Sequence, residues 1–250
     1  MTRLAVGIGR QLPRGWGHFG LQLVVWIGFY VAYQVARGAA DRSVVAAFDH
    51  GREIIEFEYQ TGLLVELSLQ RLVEGSSFLI TATSYTYWLS QFAVVGGTLL
   101  WVYFRRHERF ADLRNWLIVA NLIGLAGYVL VPTAPPRMFP EWGFADVLAE
   151  SSALNHSSGV IAFAANPYAA MPSLHAMDAL IVSVIMVLAC RSLTAKILWA
   201  LWTPWLWFTV FSTGNHYWLD GAAGAAIALV TGAVLFRDRL FGRSAAAARV

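Results

Sequence analysis

His216 and Asp220 stand four residues apart in STGNHYWLDGAAG, residues 212–224, at the head of an otherwise apolar run. On a helix that spacing puts both side chains on one face, about one turn apart. A carboxylate so placed accepts a hydrogen bond from one ring nitrogen and fixes the tautomer whose other nitrogen can attack an electrophile. A second histidine, His175, lies in AAMPSLHAMDAL (169–180) and can protonate a leaving alkoxide as general acid. Arg137, in VPTAPPRMFP (131–140), sits on a proline-restricted turn, and its planar fork can grip two phosphate oxygens at once. Together the four residues suit displacement at the phosphorus of a phosphate ester.

Two further residues join them. Ser173, just before His175, fits a helix N-cap, so that helix would aim its free N–H groups and positive dipole end at an anion. Asn215 and His216 open another helix start in the same way, which makes Ser173 and Asn215 candidate phosphate ligands. Asp178, three residues after His175, is a candidate for orienting it, or else for pairing with a polar group on another helix. Asn166 and Tyr168 are weaker candidates for the pocket wall. His18, His50, His107 and His156 carry no motif and are read as interfacial.

These residues need elements to bring them together. The chain has 250 residues, 58% apolar and 13% charged, too little polar surface to cover a soluble globule. Apolar runs near 19–36, 85–104, 115–131, 174–190, 196–212 and 219–236 are each close to the roughly 20 residues a span requires. The expectation is an all-α integral membrane protein, a six-helix transmembrane bundle forming one domain over 1–250, with the catalytic motifs inside 131–224. No cleavable leader is evident, so the first run is expected to remain. Thirteen of the 18 Lys and Arg residues fall in the segments that alternate with the motif-bearing side, so both termini are expected in the cytoplasm.

That topology brings all three motif segments out on the extra-cytoplasmic face. Between the first two spans, GREIIEFEYQTGLLVELSLQRLVEG (51–75) repeats Glu53, Glu56, Gln60, Glu66, Gln70 and Glu74 at roughly helical spacing. It reads as an interfacial helix with a polar outer stripe, either packed on the bundle as structure alone or roofing a lipid-entry site. A composition rich in Arg and Ala suggests a bacterial inner membrane. The lone Cys190 rules out a disulfide framework or a cysteine metal site. The basic residues form no stripe, so no nucleic-acid partner is expected. The oligomeric state is not legible, because small-residue pairs serve packing within one chain as well as between chains.

Pro172-Ser173-Leu174-His175 and the His216-x3-Asp220 pair, with Arg137 ahead of them, resemble the three motifs of the type 2 phosphatidic acid phosphatase superfamily. Two motif cations are absent: Leu130 stands where a lysine is usual and Val210 where an arginine is, while Met138 replaces a proline. With PTAPPR, PSLH and NHYWLD the chain looks more like the branch of inositol phosphorylceramide synthases, which transfer a phospho-headgroup between lipids. The resemblance implies His216 as a nucleophile forming phosphohistidine, Asp220 as its partner, His175 as acid and base, and Arg137 as phosphate ligand. It also implies a lipid phosphate or phospholipid substrate, the bilayer as surroundings, and neither metal nor cofactor. A metal site on His175, His216 and Asp220 and a transporter using the intramembrane acids are the alternatives. Against the transporter, no inverted repeat is legible.

Overall fold

The computed structural model describes residues 12–39, 43–150 and 167–238. Each of the six apolar runs is helical, as a chain without water to satisfy its backbone requires. α1 (Gly15–Ala39) leads to two amphipathic helices, α2 (Val44–Gln60) and α3 (Glu66–Glu74). Next, α4 (Ser77–Leu89) runs through a π-helical turn (Ser90–Val94) into α5 (Val95–Arg105), and α6 (His107–Leu130) follows. Two 3-10 turns (Pro136–Met138 and Pro140–Trp142) shape the first motif and its exit, and the short α7 (Val147–Glu150) follows. α8 (Leu174–Ala189), α9 (Leu193–Ser212) and α10 (Trp218–Leu235) complete the order. Among the described residues the only β-pairing is an isolated parallel bridge between Thr133 and Ala169.

Among the described residues, three segments are long and apolar enough to cross a membrane by length and composition: Gly15–Ala36, His107–Leu130 and Trp218–Leu235. α8 is apolar but shorter. It is the helix around which the others gather, packing against α5, α6, α9 and α10 and burying Met177, Ile181, Val182 and Ile185. α1, by contrast, lies mainly against α6 and leaves Leu21, Val24, Ile27, Val31 and Val35 exposed. An exposed apolar face of that size is unfavourable in water and ordinary in lipid.

The amphipathic segment departs from its expected form. It is two helices, not one, broken at Thr61–Val65, where Gly62 adopts φ +71°, a left-handed conformation that favours glycine. Nor is its carboxylate stripe all solvated: Glu66 and Gln70 are buried, and so is Glu58. The apolar face explains why. Ala47, Ile54 and Ile55 of α2 form a second core with Ala134, Phe139, Phe144 and Tyr217 from the motif segments, while α3 packs on α9 and α4. Docking on two sides turns part of the polar stripe inward. At the opposite end of the bundle, Arg106 Nε donates to the carbonyl of Ala189 at 2.8 Å, closing the C-terminus of α8 with a cation.

Candidate active site

Backbone hydrogen bonds stitch the three motif segments into one surface. Thr133 N donates to Tyr168 O (2.7 Å) and Ala170 N to Thr133 O (3.2 Å), joining the first motif to the approach of α8. Arg137 N donates to Gly214 O (2.8 Å), joining the first to the third. Ser173 N donates to Asp220 O (3.0 Å), joining the second to the third. Gly214 is obligatory at this seam: it has φ +69°, and a Cβ there would lie 2.6 Å from Ala145 O.

Within this frame His216 and Asp220 are both buried. Nδ1 of His216 lies 2.9 Å from the carbonyl oxygen of Ala170 and 3.3 Å from Asp220 Oδ2. A carbonyl can only accept, so Nδ1 carries the ring proton and Nε2 keeps its lone pair. Asp220 Oδ2 also accepts from the backbone N–H of Tyr217 at 3.0 Å. His175 is half-buried, stacks on Tyr87 with ring centroids 4.4 Å apart, and has its ring centroid 6.0 Å from that of His216.

Arg137 is held from two sides. Its Nη1 donates to Asn215 Oδ1 at 2.6 Å, and its Nε lies 3.5 Å from Asp146 Oδ2. Asn215 donates its own amide hydrogens to the carbonyl and hydroxyl oxygens of Thr213. As placed, Asn215 positions Arg137, next in sequence to His216. Gln70 of α3 steadies the other side by donating to Gly143 O and accepting from Ala145 N, beside Asp146. Ser173 caps α8 as expected, its Oγ accepting from Ala176 N at 3.3 Å.

The start of α10 differs from the sequence expectation of an anion seat. Its first amides are already taken by carboxyl groups: Trp218 N donates to Glu66 Oε1 (2.5 Å), Leu219 N to Glu58 Oε1 (3.3 Å), and Tyr217 N to Asp220. Burial pushes the protonation of Glu58 and Glu66 upward, and the charge of Asp220 adds to it. Sequence periodicity singled out Glu66 as polar surface and passed over Glu58. The only signal for Glu58 was an acid on the apolar side of α2.

Asp178 is buried on α8, its Oδ1 accepting from Asn121 of α6 (2.8 Å) and its Oδ2 from Gln91 of the π-helical turn (2.6 Å). Tyr168 packs at the edge of the second core, while Asn166 and His156 lie outside the described residues. His50 clamps the first motif through Nδ1 and Pro132 O (2.8 Å). His18 and His107 meet Tyr103 in a separate cluster. Leu130 is exposed and Val210 buried, so neither position supplies a cation.

The model of the PAP2 superfamily matches residues 52–234. This chain belongs to the PAP2 superfamily. The matched stretch begins within α2 and ends within α10, so it takes in the second half of α2, all of α3 and every motif segment. The chain is also 32% identical, over 146 residues, to phosphoinositol dihydroceramide synthase from Bacteroides thetaiotaomicron. That match covers 52% of this chain and 47% of the relative, so the chain spans about half the length of the curated relative it matches. No solved structure matches. The apolar helices of the chain fit a membrane protein.

Proposed function

We propose that the protein transfers a phospho-headgroup, of which phosphoinositol is the leading candidate, from a phospholipid to a second lipid alcohol through a histidine-linked intermediate. The observation that carries this reading is the Nδ1 hydrogen bond of His216 to a carbonyl oxygen, with Asp220 beside it. It leaves Nε2 nucleophilic. Nε2 attacks phosphorus, the P–O bond to the donor lipid breaks, and His175 protonates the departing alkoxide. The acceptor hydroxyl then gives its proton to His175 as its oxygen attacks phosphorus, and the N–P bond breaks. Arg137, held by Asn215 and Asp146, binds the non-bridging oxygens, with Ser173 at the start of α8 as a further ligand. The chemistry draws on no metal or cofactor.

Charge favours a diester donor over a phosphate monoester. A monoester is close to a dianion at neutral pH, whereas a diester carries one charge. The site retains one of the motif cations, Arg137, while Leu130 and Val210 stand at the other two positions. Three carboxyl groups close off the start of α10. A site so poor in cations suits the singly charged ester.

The topology belongs to the same proposal: six spans, both termini cytoplasmic, one domain, and α2 with α3 lying on the extra-cytoplasmic face of a bacterial inner membrane. Supporting it, the site and the two amphipathic helices share one end of the bundle, while Arg105, Arg106 and the start of α6 lie at the other.

The test is an assay of the purified protein in detergent with excess chelator, wild type beside His216→Ala. Donors are phosphatidylinositol and a lipid monophosphate, with and without dihydroceramide. Formation of a new phosphoinositol lipid that needs His216 supports transfer. Phosphate release to water from the monoester alone overturns it in favour of hydrolysis, and loss of all activity in chelator overturns the metal-independent mechanism.

A further inference from the structure

Glu58 and Glu66 reach the start of α10 from two different helices of the overlying layer, and both are fully buried. Each uses Oε1 to accept one of the first two amides of α10. Those two amides are consecutive in the chain, so the two carboxyl groups are drawn to the same end of the helix. With both ionised, neither can donate, and the Oε2 atoms of both are left buried without a partner. Two buried carboxylates brought to one helix end disfavour double ionisation unless a proton or another cation joins them. No group of three acidic, histidine or cysteine side chains among the described residues is arranged to hold a metal ion. A proton remains.

We infer that Glu58 and Glu66 share one proton and, as a singly charged acid pair, clamp the first turn of α10 so that Asp220 and His216 stay aligned. They are positioning residues, reaching the reacting groups only through the helix they cap, and the inference rests on the site proposed above. The single remaining charge complements the positive helix end. A second would be repelled by Asp220, which stands in the same turn, while the Tyr217 phenol interacts with both glutamates and with the Arg137 guanidinium.

The sign of the pH effect follows. Burial raises the proton affinity of both glutamates above the unfolded value near 4.5. Their contribution to stability is therefore complete below that value and is lost as pH rises through the folded-state range. A glutamine mimics the protonated acid, so E58Q should fold and keep the clamp, whereas E58A leaves an amide of α10 without its acceptor.

The experiment measures thermal midpoint against pH for the full-length protein in detergent, as wild type, E58Q, E58Q/E66Q and E58A, together with lipid turnover. The expected midpoint of the wild type falls as pH rises above neutrality, and the fall is largely absent in E58Q/E66Q. Turnover drops about tenfold in E58A, the size expected for one buried amide left unsatisfied, and is mostly recovered in E58Q. Failure of E58Q to fold overturns the shared proton, as does an unchanged midpoint–pH curve in the double variant. The stability arm stands without any substrate. A flattened curve with no turnover of any lipid would sink the functional reading and leave the acid pair intact, while turnover with an unaltered curve would do the reverse.

Discussion

The carbonyl oxygen of Ala170 lies 2.9 Å from Nδ1 of His216, nearer than the Asp220 carboxylate at 3.3 Å. The tautomer is therefore set by the backbone of the segment leading into α8, before Asp220 contributes. In the proposed mechanism Asp220 adds negative charge beside an imidazole that would become cationic on phosphorylation, together with a cap on Tyr217 N. Asp220→Asn keeps a polar group there and leaves the Ala170 contact in place. The expected loss of turnover is about 100-fold, against about 10,000-fold where an aspartate alone fixes the tautomer, while His216→Ala abolishes turnover. Single-turnover rates on folded protein decide it; a D220N defect as deep as that of H216A would return tautomer control to Asp220.

Arg137 engages Asn215 through Nη1 and Asp146 through Nε, two contacts at different corners of one planar group. Lysine has a single ammonium and no such fork. Arg137→Lys should raise KM for the phospholipid donor about tenfold or more and lower turnover, although the charge is conserved. Asn215→Ala should move KM in the same direction by a smaller factor, because its part is to hold the guanidinium. An R137K enzyme with unchanged kinetics would reduce Arg137 to an anchor at the membrane surface.

Asp178 accepts from Asn121 and Gln91 with its two oxygens, so it ties α8 to α6 and to the π-helical turn. In Asp178→Asn one acceptor becomes a donor facing a donor, at a cost of about 1–3 kcal/mol for the unsatisfied group. The expected result is a lower thermal midpoint with turnover per folded molecule within about threefold of wild type, because the contacts at stake join helices and involve no reacting atom. A large drop in turnover at unchanged midpoint would instead assign Asp178 to the orientation of His175.

Sequence periodicity made the helices legible because lipid-length apolar runs permit little else. The spacing of His216 and Asp220 made their pairing legible for the same local reason. The acceptor role of Ala170 was not, because any residue type offers a carbonyl and only the fold aims it. The inward turn of Glu58 and Glu66 was equally hidden, since a glutamate at helical spacing looks the same whether its face meets water or a second helix. Their burial depends on α2 docking against Ala134, Phe139 and Tyr217, all distant in sequence. Asn215 read as a ligand by position and proves to hold Arg137, a distinction that depends on where the amide points.

Of the two catalytic histidines of the proposal, His175 lies in the first turn of α8 and His216 just before α10, and their separation is set where α10 crosses the start of α8 at Gly224. A Cβ at Gly224 would run into the carbonyl oxygen of Ser173 and approach Met177 Cβ to 3.3 Å. The first obstacle is backbone, so the helices must part. Gly224→Ala should cost about 1–3 kcal/mol of stability as an overpacked contact. Turnover should fall further than stability, because the shift separates His175 from His216 and loosens the bond from Ser173 N to Asp220 O. Gly97→Ala is the matched control: its Cβ meets nothing within 4 Å on α5, and removing a helical glycine there is neutral or stabilising by about 0.5–1 kcal/mol. Thermal midpoints and turnover of the two variants, measured side by side, test the crossing directly; equal behaviour would mean that α8 and α10 approach less closely than the Gly224 contact requires.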